Sequence, residues 1–153
     1  MTDLTEGARA PDFTLEGADG PLRLADFAGM TLVLYFYPKD DTTGCAKEAQ
    51  DFTSLAGDFA KAGASVLGVS KDSVKSHGKF AAKYDLGVTL GSDPAGAVVE
   101  AYGAWVEKSM YGRKYMGIDR SSFLIRDGAI ARMWRKVKVP GHAQDVLKAV
   151  QAL

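Results

Sequence analysis

The spacing of apolar positions changes several times along this chain, and each change marks an element. Leu32-Val33-Leu34-Tyr35-Phe36-Tyr37 is an unbroken apolar run stopped by Pro38. A run of branched and aromatic residues of that length predicts a central strand buried on both faces. After the polar stretch Lys39 to Gly44, apolar residues recur at Ala49, Phe52, Leu55, Ala56 and Phe59. That spacing predicts an amphipathic helix from Cys45 to near Gly63, with an apolar face that starts only at Ala49. Ala64 to Val69 predicts a second buried strand. Val74, His77, Phe80, Ala81 and Tyr84 predict a second helix ending before Gly87, and Val88 to Leu90 a short third strand.

The remaining segments fill out the same class. Phe13 to Leu15 and Leu22 to Leu24 flank the turn-rich Gly17-Ala18-Asp19-Gly20-Pro21 and predict an N-terminal hairpin. Ala95 to Tyr102 reads as a short helix. Ser122 to Ile125 and Ile130 to Val137, joined by Arg126-Asp127-Gly128, read as a second hairpin. Pro140-Gly141 introduces a last helix whose Val146, Leu147, Val150 and Leu153 share a face. Strands alternating with helices, plus hairpins, imply an α/β fold with a mixed central sheet flanked by helices. With no repeat or linker, residues 1–153 are expected to form a single domain.

Composition narrows the function classes. Lys+Arg and Asp+Glu both total 19, so no field of one sign exists to gather phosphates or anionic lipid. Nucleic-acid and membrane-surface partners are not expected. The longest apolar run has six residues, against the ~20 that a spanning helix needs. Met1 to Phe13 carries neither an export signal nor a transit-peptide pattern. The chain has one cysteine, Cys45, so an internal disulfide is impossible and a reducing compartment, the cytoplasm, is expected. His77 and His142 lack the spacing of a metal site, and no metal or cofactor is expected. No glycine-rich nucleotide loop is present.

Cys45 follows a strand end and a polar loop and opens a helix. Unpaired N–H groups and the positive end of the helix dipole there favour a thiolate, the nucleophilic form. A helix end supplies only ~0.3 to 2 kcal/mol, less than a strongly activated thiol requires, so a nearby cation is needed. The residues around Cys45 do not say which cation that is. A Cys-His hydrolase would need a histidine within hydrogen-bond reach of Cys45, and the sequence neither forbids nor supports one.

The segment Pro38-Lys39-Asp40-Asp41-Thr42-Thr43-Gly44-Cys45 resembles the peroxiredoxin motif Pro-x-x-x-Thr-x-x-Cys, and Lys47-Glu48-Ala49 continues it. Gly7 to Leu15, Trp105 to Lys108 and Gly117 to Ile125 are also similar to that family, in its bacterioferritin comigratory protein (PrxQ) branch. The resemblance covers almost the whole chain. It implies a thioredoxin-like fold and reduction of hydrogen peroxide or organic hydroperoxides through a sulfenic acid on Cys45. It further implies that Thr42 contacts the peroxide, Arg120 supports the thiolate and the transition state, Pro38 shields the site and Glu48 orients Arg120. Thr43 and Ala46 depart mildly from the family pattern, and Gln50 stands where many members of the branch carry a resolving cysteine. The resemblance is therefore to a one-Cys form that depends on an external thiol of the thioredoxin, glutaredoxin or glutathione type. A monomer is expected, with a dimer as the alternative. Lys108, Tyr111, Arg113, Lys114 and Tyr115 read as an exposed loop near the active site. The competing function is a non-enzymatic thiol redox sensor or interaction module on the same scaffold.

Overall fold

The computed structural model describes residues 4–153. The apolar run forms β3 (Thr31–Phe36), and all six of its residues are buried. Val33, Tyr35 and Tyr37 point into one apolar core, and Leu32, Leu34 and Phe36 into another on the opposite face of the sheet. Period-two alternation between two cores explains why the run carries no polar residue.

β3 pairs in parallel with β4 (Ala64–Ser70), which pairs in parallel with β5 (Thr89–Ser92). On its other side β3 pairs antiparallel with β8 (Ser121–Arg126), and β9 (Ala129–Trp134) closes that edge. The opposite edge is the N-terminal hairpin of β1 (Thr14–Gly17) and β2 (Gly20–Arg23). The resulting mixed sheet of seven strands runs β2-β1-β5-β4-β3-β8-β9. Helices α1 (Thr43–Ser54), α2 (Ala56–Lys61), α3 (Val74–Tyr84) and α5 (His142–Gln151) contribute to the core that holds Cys45. The short α4 (Ala97–Ala101) packs into the other core through Val98 and Val99.

Five expectations are corrected. The helix expected to run from Cys45 to Gly63 breaks at Leu55 into α1 and α2, where the Ser54 hydroxyl turns back onto the Asp51 carbonyl at 2.8 Å. Its buried face starts at Cys45 rather than Ala49, because Cys45, Ala46 and Glu48 are all buried. The basic, aromatic stretch expected as a loop lies in a hairpin of β6 (Trp105–Met110) and β7 (Arg113–Ile118), which form a separate two-stranded sheet. The last strand ends at Trp134 instead of Val137, since Lys136 has a positive φ of 48° that a strand cannot accommodate. Leu153 lies beyond α5 and is exposed, so it does not share that helix's buried face. Among the described residues, no helix is long and apolar enough to cross a membrane.

Candidate active site

The end of β3 launches the site. Tyr37 closes the apolar run, Pro38 lies exposed at the exit, and the loop from Lys39 leads to Thr42, the N-cap of α1. Thr42 does not cap the helix with its side chain; its hydroxyl donates to the Lys39 carbonyl at 3.0 Å. Cys45 is the third residue of α1, packed into the core and only 2% exposed.

Sheet register supplies the missing cation. Phe36 of β3 lies opposite Ser121 of β8, so Arg120, the residue before β8, arrives where β3 hands over to the active-site loop. Arg120 Nη2 donates to Cys45 Sγ at 3.3 Å, and Nη1 donates to Glu48 Oε1 at 2.6 Å. One planar guanidinium thus serves two partners on α1 through two different nitrogens, a forked geometry that the single nitrogen of an ammonium group lacks. Cys45 and Glu48 are three residues apart on the helix, which puts both on the face turned toward Arg120.

The electrostatics are those of a buried charge cluster. Burial pushes the Glu48 carboxyl up to about 7, with the nearby Arg120 charge only partly offsetting it. Among the described residues, Glu48 Oε2 is buried without a hydrogen-bond partner. Burial is the largest influence on Arg120 and pulls it down, yet the Glu48 and Cys45 charges outweigh it and the guanidinium is held above its ordinary value. A cation fixed in a largely water-excluded setting acts on a neighbouring sulfur far more strongly than it would in water.

Pro38, Thr42, Cys45, Glu48 and Arg120 therefore all lie on or beside one strand-loop-helix junction. Two residues around it escaped the sequence reading. Asp40, inside the loop, is buried and receives hydrogen bonds from Tyr37, Ser76 and His77. In sequence His77 shares a face with Val74, Phe80 and Tyr84 and lacks the spacing of a metal site, whereas ligand atoms of His77, Asp40 and Asp72 lie within 4.8 Å of one another. Both carboxylate oxygens of Asp40 and both ring nitrogens of His77 are engaged in hydrogen bonds within the protein. His142, at the start of α5, pairs with Ser122 through Nε2 at 2.8 Å and packs edge-on against Phe52 and Trp134. Burial holds His142 down to about 4, so it is neutral near pH 7.

The sequence model of the AhpC/TSA family matches residues 7–133. The chain belongs to that family. A putative peroxiredoxin bcp of Coxiella burnetii is 50% identical over 143 residues, covering 92% of this chain and 95% of that protein. The bacterioferritin comigratory protein of Xanthomonas campestris was solved as trapped intermediate and ligand complexes that bear on its alkyl peroxide reduction activity. It superposes with a TM-score of 0.87 at 47% identity, covering 92% of this chain and 90% of that one. A cysteine-to-serine mutant of Xylella fastidiosa PrxQ superposes at 0.92 with 39% identity, covering 99% of this chain and 98% of that one. The chain is thus a peroxiredoxin of the Bcp/PrxQ group, with a thioredoxin-like fold and thiol-dependent peroxidase activity. Peroxidase activity of this type needs a peroxide and a thiol reductant.

Proposed function

We propose that the chain reduces hydrogen peroxide and organic hydroperoxides at Cys45, with Thr42, Arg120, Pro38 and Glu48 completing the site. The observation that carries this reading is the Arg120 guanidinium, 3.3 Å from Cys45 Sγ and anchored by Glu48 at 2.6 Å. The Cys45 thiolate attacks the terminal oxygen of ROOH in line. An S–O bond forms, the O–O bond breaks, and the departing RO⁻ takes a proton to leave as ROH. Negative charge moves from sulfur to the leaving oxygen, and Arg120 faces this path throughout. The Thr42 hydroxyl, which donates to Lys39 in the resting site, donates instead to a peroxide oxygen. Pro38 shields the strand end beside the sulfur, and Glu48 keeps the guanidinium from turning away.

Cys45 is left as a sulfenic acid. With no second cysteine in the chain, one external thiol displaces water from the sulfenic acid to form a mixed disulfide, and a second thiol attacks the external sulfur, so that Cys45 leaves as its thiol and the two external thiols leave as a disulfide. A thioredoxin, glutaredoxin or glutathione-type reductant meets this need. A cycle that consumes thiols belongs in a compartment that replenishes them, which favours the cytoplasm. The test is peroxide consumption in the presence of each reductant, by wild type and by Cys45→Ser. Turnover by wild type alone is expected, and turnover retained by a cysteine-free sample would remove the assignment.

A further inference from the structure

The loop that carries Thr42 and leads into Cys45 is held from below by α3, through groups that are 37 residues apart in sequence. Asp40 is 8% exposed and His77 4%. The Asp40 carboxylate accepts from Tyr37 Oη at 2.6 Å, from Ser76 Oγ at 2.7 Å and from His77 Nδ1 at 2.7 Å. The other ring nitrogen of His77, Nε2, lies 3.1 Å from the carbonyl oxygen of Gly91 in β5. A carboxylate and a backbone carbonyl are both acceptors only, so this geometry is satisfied when His77 donates from both nitrogens, as an imidazolium. The backbone joins the same anchorage, since the Asp40 N–H donates to Asp72 Oδ2 at 2.8 Å and Asp72 is itself held by Ser70 Oγ at 2.7 Å. Burial is the largest influence on Asp40 and pushes it up, but its hydrogen bonds from His77, Tyr37 and Ser76 prevail and keep it below the ordinary carboxylate range.

We propose that Asp40 and His77 form a buried ion pair that acts as a positioning clamp, holding the Pro38–Gly44 loop and the first turn of α1 in the arrangement that reacts with peroxide. The inference rests on Cys45 being the reacting group. Its consequence follows from the burial of that sulfur. At 2% exposure, the Cys45 thiolate is enclosed by Arg120 for the peroxide step, but a bulky external thiol must reach the same sulfur along the S–O axis. The first turn of a helix has N–H groups without intrahelical partners and opens at little cost. The clamp opposes that opening, so it favours the first half-reaction and restrains the second. Asp41, next in the chain, has a positive φ of 59° and a surface ion pair to Lys83 at 2.8 Å, but an exposed pair contributes little. The buried pair therefore does most of the holding.

Stopped-flow mixing separates the two half-reactions. In Asp40→Asn, the second-order rate of Cys45 oxidation by hydrogen peroxide is expected to fall by roughly tenfold to a hundredfold. Reduction of the preformed sulfenic acid by dithiothreitol, and alkylation of reduced Cys45 by iodoacetamide under native conditions, are expected to rise. Unfolded chains would also oxidise slowly and expose Cys45 to added thiol, so the folded fraction of the variant is measured by circular dichroism under the assay conditions, and a loss of folded protein large enough to account for both changes would overturn the clamp. If Asp40→Asn does not fold, Tyr37→Phe keeps the ring, removes one donor to the same carboxylate, and is expected to move the rates in the same directions by about threefold. Both half-reactions unchanged, or both lowered together, would overturn the clamp. Failure of the wild-type protein to oxidise at Cys45 would instead overturn the assignment on which it rests.

Discussion

A Cβ on Gly44 would stand 3.2 Å from Arg120 Nη2. The residue before the reactive cysteine is therefore the one that leaves room for the guanidinium to reach the sulfur. In Gly44→Ala the added methyl pushes Nη2 by a few tenths of an ångström and also stiffens the first turn of α1. The variant should be more stable than wild type by about 0.5 kcal/mol, as expected for alanine replacing glycine in a helix. Oxidation of Cys45 should slow by roughly threefold to tenfold. Chemical denaturation and stopped-flow oxidation, run on the same preparation, check both halves.

Removing the guanidinium should be far more damaging. Arg120→Lys keeps a charge but loses the planar fork that reaches Cys45 and Glu48, and Arg120→Ala leaves Glu48 buried without the guanidinium that donates to it. Loss of one preorganised charge at a reacting centre costs ~10² to 10³ in rate, so Arg120→Ala should fall in that range and Arg120→Lys between it and wild type. Oxidation rates of both variants equal to wild type would return Arg120 to a structural role.

For Thr42, serine preserves the hydroxyl and valine preserves only the shape. Thr42→Ser should keep peroxide oxidation within a few-fold of wild type, and Thr42→Val should slow it by roughly tenfold or more. Because the hydroxyl donates to Lys39 and does not cap α1, thermal unfolding of the two variants should differ little. Equal oxidation rates would leave Thr42 with packing alone.

Glu48 has a signature in the pH dependence of stability. Its folded value of about 7 lies above the 4.5 of an unperturbed glutamate because burial penalises the charge. A raised value means that the folded state binds more protons than the unfolded one, so this contribution is full below about 4.5 and is lost as the pH climbs through about 7. His142 has the opposite sign, because its folded value of about 4 lies below the ordinary 6.5. Its contribution is full above about 6.5 and is lost as the pH falls through about 4. Comparing Glu48→Gln with wild type cancels the histidine. The variant should gain on wild type between pH 5 and 7 by on the order of 1 to 3 kcal/mol, measured by urea unfolding.

Gln50 tests whether this site still opens. It is exposed on an intact α1, and residues five apart on a helix are separated by ~7.5 Å of rise and about 140° of rotation, too far for a disulfide. Gln50→Cys should nevertheless form an intramolecular disulfide after one equivalent of peroxide, through unwinding of the first turn. Intact mass decides it, since oxygen addition without loss of two hydrogens would mean that the turn stays wound.

What could be read in the sequence follows from which interactions are local. β3 was legible because each of its six residues meets a core, and α3 because its apolar residues recur at helical spacing. The β6–β7 hairpin was not, because most of its residues are exposed on both faces, and solvent imposes no period-two alternation. The same logic divides the site. Pro38, Thr42, Cys45 and Glu48 sit within eleven residues of one another and were recognised together by family resemblance. The geometry that joins Arg120 to them arises 72 and 75 positions away through β3–β8 register, a pairing that spacing along the chain does not encode. The Asp40–His77 contact was missed for the same reason, since a histidine on an apolar face carries no sign of the carboxylate that will meet it.

On the proposed mechanism, Arg120 and the α1 terminus make the Cys45 sulfur a fast peroxide nucleophile. The most direct measurement is the second-order rate of its oxidation by hydrogen peroxide at neutral pH, followed by stopped flow with intact-mass identification of the product. The account predicts a rate at least roughly a thousandfold above that of a free thiol, with a single oxygen added to the protein. A rate comparable with free cysteine would contradict it.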